Sequence, residues 1–139
     1  MSETDDRVAI MDVLARYTAA LDTQNWDGLD TVFTPNAAID YTTSGGIKGR
    51  YPEIKAWLAE VLGTFPMTQH LIGMPAISLD GDTATSRTDV YNPMGVAQPD
   101  GSTKLFYVGA TYEDRLARTL DGWRITERFE RQAFSTLGA

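Results

Sequence analysis

The chain predicts an α+β fold, with N-terminal helices packed on one face of a curved, mostly antiparallel sheet. Two observations carry this expectation. Helix-period apolar spacing recurs in the first half, and short alternating segments separated by turn signals fill most of the second. No internal repeat, linker or low-complexity stretch divides the 139 residues, so 1–139 is expected to be a single domain.

The opening segment "DDRVAIMDVLARYTAALDTQNW" reads as a helix, and the acidic "SETDD" suits its start, where carboxylates complement the macrodipole. At about 100° per residue, Tyr17, Ile10, Leu21, Leu14, Thr18, Met11 and Asp22 share an arc of roughly 140°. Asp12, Arg16, Ala9 and Ala19 lie opposite. Tyr17 and Asp22 thus sit at the two edges of the buried stripe, an unusual place for an aspartate.

"NWDGLDTVFTP" predicts a short second helix ended by Pro35, and "NAAIDYTTSGG" a strand closed by a glycine turn. "RYPEIKAWLAEVLG" has helical spacing at Ile54, Trp57, Leu58 and Val61, with Gly63 as its stop. Strand material around 68–79 ends in "DGD", a hairpin signal. "TATSRTDVYNP" follows, then a loop "MGVAQPDGS". "KLFYVGATYEDRLART" is a long strand, and "WRITERFERQAF" alternates at Trp123, Ile125, Glu127 and Phe129.

Composition removes several function classes. The chain has no cysteine and one histidine, which excludes thiolate chemistry and any site needing two imidazoles from one chain. No metal site is expected. A net charge of −7 argues against nucleic acid and anionic membranes as partners. No apolar run has the length of a membrane span and the N-terminus is not signal-like, so the expected location is cytoplasmic. GxSxG, Walker A and GxGxxG motifs are missing, and no cofactor is expected.

Six residues remain as candidates for chemistry: Tyr17, Asp22, Tyr41, His70, Asp89 and Arg118. Taken singly, each also has a structural explanation. A tyrosine on an apolar stripe is usually core, Asp22 suits a helix end, Tyr41 alternates with Ile39, and Asp89 and Arg118 suit a charged rim. His70, inside the apolar "FPMTQHLIG", titrates nearest neutral pH by type and is the natural proton carrier.

The segments "ALD" at the end of the first helix and "W" shortly after, then "FTPNAAIDY", "TQHLIG", "LDGDTA" and "RTLDGWRI" resemble the SnoaL-like family of the nuclear transport factor 2-like superfamily. The resemblance covers about Asp6 to Phe134. It implies a cone-shaped fold with a curved sheet around a long helix and a pocket at the wide end. The site pattern is closest to bile acid 7α-dehydratase, scytalone dehydratase and hexachlorocyclohexane dehydrochlorinase. In the first, a tyrosine and an aspartate five residues apart meet a strand-region histidine, as Tyr17, Asp22 and His70 do in type and spacing. The dehydrochlorinase shares the aspartate–histidine pair and has an arginine for which Arg118 is the nearest match. Two departures stand out. Scytalone dehydratase uses a second histidine, and the bile acid enzyme has a downstream carboxylate that Asp89 matches in strand but not in spacing.

What the resemblance implies is a cofactor-independent lyase or isomerase acting on a small, mostly apolar ring compound. His70 would abstract a carbon-bound proton, its second ring nitrogen free as a base. Asp22 would support it, and Tyr17 would donate to a departing hydroxyl or enolate oxygen. Tyr41, Asp89 and Arg118 would bind substrate, within a pocket whose wall includes Met11, Leu14, Val90 and Phe106. The alternatives are a polyketide cyclase-like aldol catalyst and a non-catalytic binding or interaction domain. A homodimer or higher oligomer is also implied.

Overall fold

The computed structural model describes residues 2–138. Helix α1 (Glu3–Asp22) starts in a capping box: Asp5 N donates to Ser2 Oγ and Ser2 N to Asp5 Oδ2, each at 3.1 Å. It buries Asp6, Ile10, Val13, Leu14, Tyr17, Ala20 and Leu21. The stripe is therefore rotated from the one expected. Val13 and Ala20 join it, while Met11 is exposed. The helix axis is set by the curved sheet it crosses, a tertiary constraint that helical spacing does not contain.

The second helical segment is a six-residue 3₁₀ turn, Trp26–Thr31, and it ends before Pro35. Pro35 lies inside strand β1 (Phe33–Asp40), where pairing to the neighbouring strand is interrupted between Phe33 and Ala38. A proline costs no ladder hydrogen bond there. A 3₁₀ turn (Thr42–Ser44) closed by Gly45 at φ 85° leads to β2 (Lys48–Arg50) and helix α2 (Tyr51–Leu62). Helix α2 buries Tyr51, Ile54, Leu58 and Leu62, and leaves Trp57 and Val61 partly exposed.

Strands β3 (Met67–Thr68), β4 (Leu71–Ile72) and β5 (Ala76–Asp80) pair in succession with β6 (Thr83–Ala97). Strands β7 (Thr103–Thr119) and β8 (Gly122–Ser135) complete an eight-stranded sheet in the order β2-β1-β8-β7-β6, with β3, β4 and β5 along the far edge of β6. All pairings are antiparallel except β1 with β8. The expected loop "MGVAQPDGS" is half strand, because Met94 to Ala97 pair with Phe106 to Thr103, and this outweighs the weak local strand signal around Gly95.

Strand β8 holds the irregularity that matters most. Ile125 faces Leu116 and Glu127 faces Arg115, so Thr126 is an extra residue, a β-bulge. Trp123 and Ile125 point into the core as expected, but beyond the bulge the alternation changes parity. Arg128 is buried and Glu130 and Gln132 line the interior, in place of Glu127 and Phe129.

The core lies between α1, α2 and the inner face of the sheet. Ile10, Leu14, Leu21, Leu29, Ile54, Leu116 and Ile125 are at most 2% exposed. Each such side chain contributes roughly 1.5–3 kcal/mol of transfer free energy. Tyr17 packs edge-on against Phe33 (5.8 Å) and Tyr112 (5.5 Å). No helix among the described residues is long and apolar enough to cross a membrane.

Candidate functional site

The edge of the sheet breaks between β3 and β4, and His70 lies in that gap. Its backbone N–H does not pair with β6. It donates instead to Asp22 Oδ2 at 2.8 Å, at the last turn of α1. The imidazole Nδ1 meets Asp22 Oδ1 at 2.6 Å, and Thr68 Oγ1 donates to the same oxygen at 3.3 Å. The helix end and the broken strand therefore hold both residues at once. Burial pushes the Asp22 carboxyl up, but the hydrogen bonds from the His70 side chain, the His70 backbone and Thr68 outweigh it and hold it below the usual carboxylate range.

The imidazole lines a cavity of about 220 Å³. One wall is apolar: Trp57, Val61, Leu62 and Phe65 from α2 and its exit, with Met94 and Phe106 from the sheet. Lining this cavity is what leaves Trp57 and Val61 only half-buried. The other wall is polar: Tyr17, Tyr41, Tyr112, Asn92, Glu130 and His70. The Tyr17 and Tyr41 hydroxyls lie 2.6 Å apart. Burial raises Tyr17, Tyr41 and Tyr112 well above an ordinary phenol, so all three are neutral hydroxyls.

Beneath this wall sits Arg128, wholly buried and bonded through Nε and Nη2 to the equally buried Asp114 at 2.8 Å each. Its guanidinium lies 3.8 Å from the Tyr112 ring centroid and 4.2 Å from that of Tyr17. The pair forms a charged but internally neutral shelf that fixes both rings.

Glu130, two residues along β8, reaches the cavity, where Ser44 Oγ donates to its Oε1 at 2.5 Å. Its second oxygen has no donor among the described residues. Burial raises its carboxyl, against the lowering effects of Ser44, Arg128 and His70. On β6, Asn92 lies beside the imidazole. Its amide is assigned from its neighbours: with Nδ2 facing Gln69 O at 3.0 Å and Pro93 O at 3.3 Å, Oδ1 turns onto His70 Nε2 at 3.1 Å. The opposite amide orientation would set Oδ1 against two carbonyl oxygens.

Four of the six sequence candidates thus converge: Asp22, His70, Tyr17 and Tyr41. Two do not. Asp89 alternates with the buried Thr88 and Val90, so it projects from the opposite face of the sheet. It is bonded there to Arg87 at 3.3 Å and Thr111 Oγ1 at 3.2 Å. Arg118 chelates Asp6 at 2.7 and 2.9 Å, bonds Asp82 at 2.9 Å and lies over Trp123. Asp6 is near the start of α1 and Asp22 at its end, about 24 Å away at ~1.5 Å per residue. That distance removes Arg118 from the cavity.

Sequence reasoning missed Glu130, Asn92 and the Arg128–Asp114 pair. The charged run "RITERFERQ" has the composition of a solvated face, and only the bulge at Thr126 turns part of it inward. Among the described residues, no group of three or more acidic, histidine or cysteine side chains converges to hold a metal ion.

Comparisons with known proteins agree with this architecture. A SnoaL-like domain model matches residues 2–129. The chain is 44% identical over 137 residues to the uncharacterized protein Rv2910c of Mycobacterium tuberculosis, covering 99% of this chain and 92% of that one. Among solved structures, the Kfla4162 protein of Kribbella flavida superposes with a TM-score of 0.87 at 24% identity, over 96% of this chain and 95% of that one. A nuclear transport factor 2-like superfamily protein of Salmonella enterica gives 0.81 at 18% identity, over 97% and 96%. A hexachlorocyclohexane dehydrochlorinase, LinA-type3, of Novosphingobium barchaimii gives 0.79 at 18% identity, over 96% and 90%. The chain belongs to the SnoaL-like family and has the nuclear transport factor 2-like fold.

Proposed function

We propose that the protein is a cofactor-independent lyase or isomerase acting on a small, mostly apolar ring compound, with proton transfer centred on the Asp22–His70 pair. The observation that carries this reading is the 2.6 Å contact of His70 Nδ1 with Asp22 at the wall of a cavity with one apolar side. A carboxylate so placed fixes the ring and stabilises its charged form, while apolar walls strengthen the interaction. Tyr17 and Tyr41, neutral and mutually bonded, offer a hydroxyl to an oxygen that gains negative charge. The dehydrochlorinase among the structural neighbours performs an elimination on the same scaffold, an analogy of fold.

The cavity limits the substrate. At about 220 Å³ it lies below the ~300 Å³ at which drug-sized ligand pockets begin. A one- or two-ring compound fits this limit better than a steroid. The test is a panel of small cyclic β-hydroxy ketones, followed by the absorbance of the conjugated enone formed on loss of water. His70→Gln should reduce the rate by about 10²–10⁴-fold, the usual worth of a positioned acid or base. Equal turnover by the wild type and His70→Gln would remove the dyad from the chemistry. The same reading carries the expectation of a homodimer, which sedimentation velocity measures directly.

A further inference from the structure

We propose that Glu130 is the catalytic base of this cavity and that His70 works opposite it as the proton donor, held charged between Asp22 and Asn92. The inference rests on the lyase reading above and assigns the direction of its proton transfers.

The assignment follows from counting protons on the imidazole. Asp22 accepts from the His70 backbone N–H and from Thr68, and its carboxyl is held below the usual range, so it is ionised and can only accept at its 2.6 Å contact with the ring. Nδ1 therefore carries a proton. The Asn92 amide is fixed by two carbonyls, Gln69 O and Pro93 O, which both require its NH₂. Its oxygen is left facing Nε2 at 3.1 Å, a contact that is attractive only if Nε2 also carries a proton. Both ring nitrogens are thus donors. A ring in this state has a proton to give and no lone pair with which to take one.

An elimination then needs a different acceptor for the carbon-bound proton. Among the described residues, Glu130 is the carboxylate that lines the cavity. Ser44 binds one of its oxygens and the other is open, the arrangement of a base that is oriented yet unoccupied. The groups around the pair are Asp22 and Tyr17 from α1, Tyr41 after β1, Tyr112 from β7, and Arg128 from β8. Arg128 is neutralised by Asp114, so the cavity's own charges are the Glu130 carboxylate and the imidazolium with its Asp22 counter-ion.

The step balances. The open oxygen of Glu130 takes the proton from carbon, and the C–H electrons form the new double bond. The neighbouring C–O bond breaks with its electrons leaving on oxygen, which takes the Nε2 proton from His70 and departs as water. The protein is left with a neutral imidazole and a protonated Glu130, and one proton passing from Glu130 back to His70 resets it. Asn92 is a positioning residue in this scheme. It presents the donor and is itself unchanged.

Two measurements test the assignment. The first is NMR of protein labelled with ¹⁵N-histidine, where a single histidine makes assignment automatic. At neutral pH both ring nitrogens should show a one-bond coupling to hydrogen. In Asn92→Leu, the Nε2 proton should exchange faster with solvent while the Nδ1 proton is retained. A bare Nε2 in the wild type overturns the proposal.

The second is the base-promoted ring opening of nitrobenzisoxazole, a compact aromatic probe whose reaction begins with C–H proton loss. Glu130→Gln should lower its rate by about 10²–10⁴-fold, and Glu130→Asp, which keeps a carboxylate, should recover part of it. His70→Gln should cost less, because the phenolate leaving group needs little protonation. Loss in His70→Gln with full rate in Glu130→Gln would overturn the assignment of Glu130 and leave His70 as the base of a lyase. No acceleration by the wild type over buffer would overturn the lyase reading as well.

Discussion

The buried pair Arg128–Asp114 supports the polar wall of the cavity, and breaking it should be costly in a specific way. Both side chains are 0% exposed and joined by two 2.8 Å bonds, and the guanidinium lies against the rings of Tyr17 and Tyr112, 4.2 and 3.8 Å from their centroids. Asp114→Asn leaves a buried cation facing an amide. Arg128→Met leaves a buried carboxylate with no donor. Removing one partner of such a pair costs about 3–5 kcal/mol, because the surviving charge cannot reach water. For a chain of this length about 4 °C of Tm accompanies each kcal/mol, so each single variant should melt roughly 12–20 °C lower. Replacing both, as Arg128→Met with Asp114→Leu, removes both desolvation costs and should restore most of the loss. Urea denaturation of the four proteins, with m-values compared to confirm two-state behaviour, gives the coupling directly. A single variant costing under about 1 kcal/mol, or a double variant costing the sum of the singles, would refute the reasoning.

Three further outcomes follow from the same structure. Burial holds the folded-state carboxyl of Glu130 above its ordinary value, so its contribution to stability is present at low pH and lost as pH rises through the folded-state pKa. Glu130→Gln should therefore stabilise the fold at neutral pH relative to the wild type, with the gap closing near pH 4 in denaturation curves. Asp6 behaves in the opposite sense: the hydrogen bond from Arg118 lowers its pKa to about 2, so its contribution is full above pH ~4 and lost as pH falls towards 2. Asp6→Asn should flatten the acid limb of a stability profile over that window. A Cβ on Gly46 would meet the Trp57 ring at 2.6 Å and Tyr41 O at 2.9 Å, so Gly46→Ala should cost about 1–3 kcal/mol and shift Trp57 fluorescence.

What the sequence made legible and what it hid separate along a physical line. Helix α1 carries Tyr17 and Asp22 at a fixed spacing, and local periodicity singled out both, although the rotated stripe puts Tyr17 at its middle and leaves Asp22 partly exposed at the helix end. The meeting of Asp22 with His70 was legible only through resemblance, because it depends on a sheet edge that breaks between Thr68 and Leu71. Asp89 was misplaced by one position of strand parity, and Arg118 by the length of a helix. Met11 was misplaced by the rotation of α1 about its axis, which packing decides. Glu130 was hidden for a different reason. The alternation from Trp123 to Phe129 is regular in sequence and irregular in space, since one residue of it has no partner on β7.

That unpaired Thr126 has a consequence for how the site can change over time. The inward positions of β8 beyond it are set by a count of residues and not by the identity of any one of them. Every substitution at Thr126 that tolerates the bulge keeps Arg128 and Glu130 inside. Closing the bulge with Thr126 kept in the ladder would turn both outward and bring Glu127 and Phe129 in, whereas deleting Thr126 would seat Glu127 directly after Ile125 and leave both inside. Closing it would exchange the cavity's carboxylate for a phenyl ring without the loss of a residue. A change of chemistry on this scaffold is therefore as close as one slip of strand register, a step that would keep Arg128 and Glu130 in the sequence and take them out of the site.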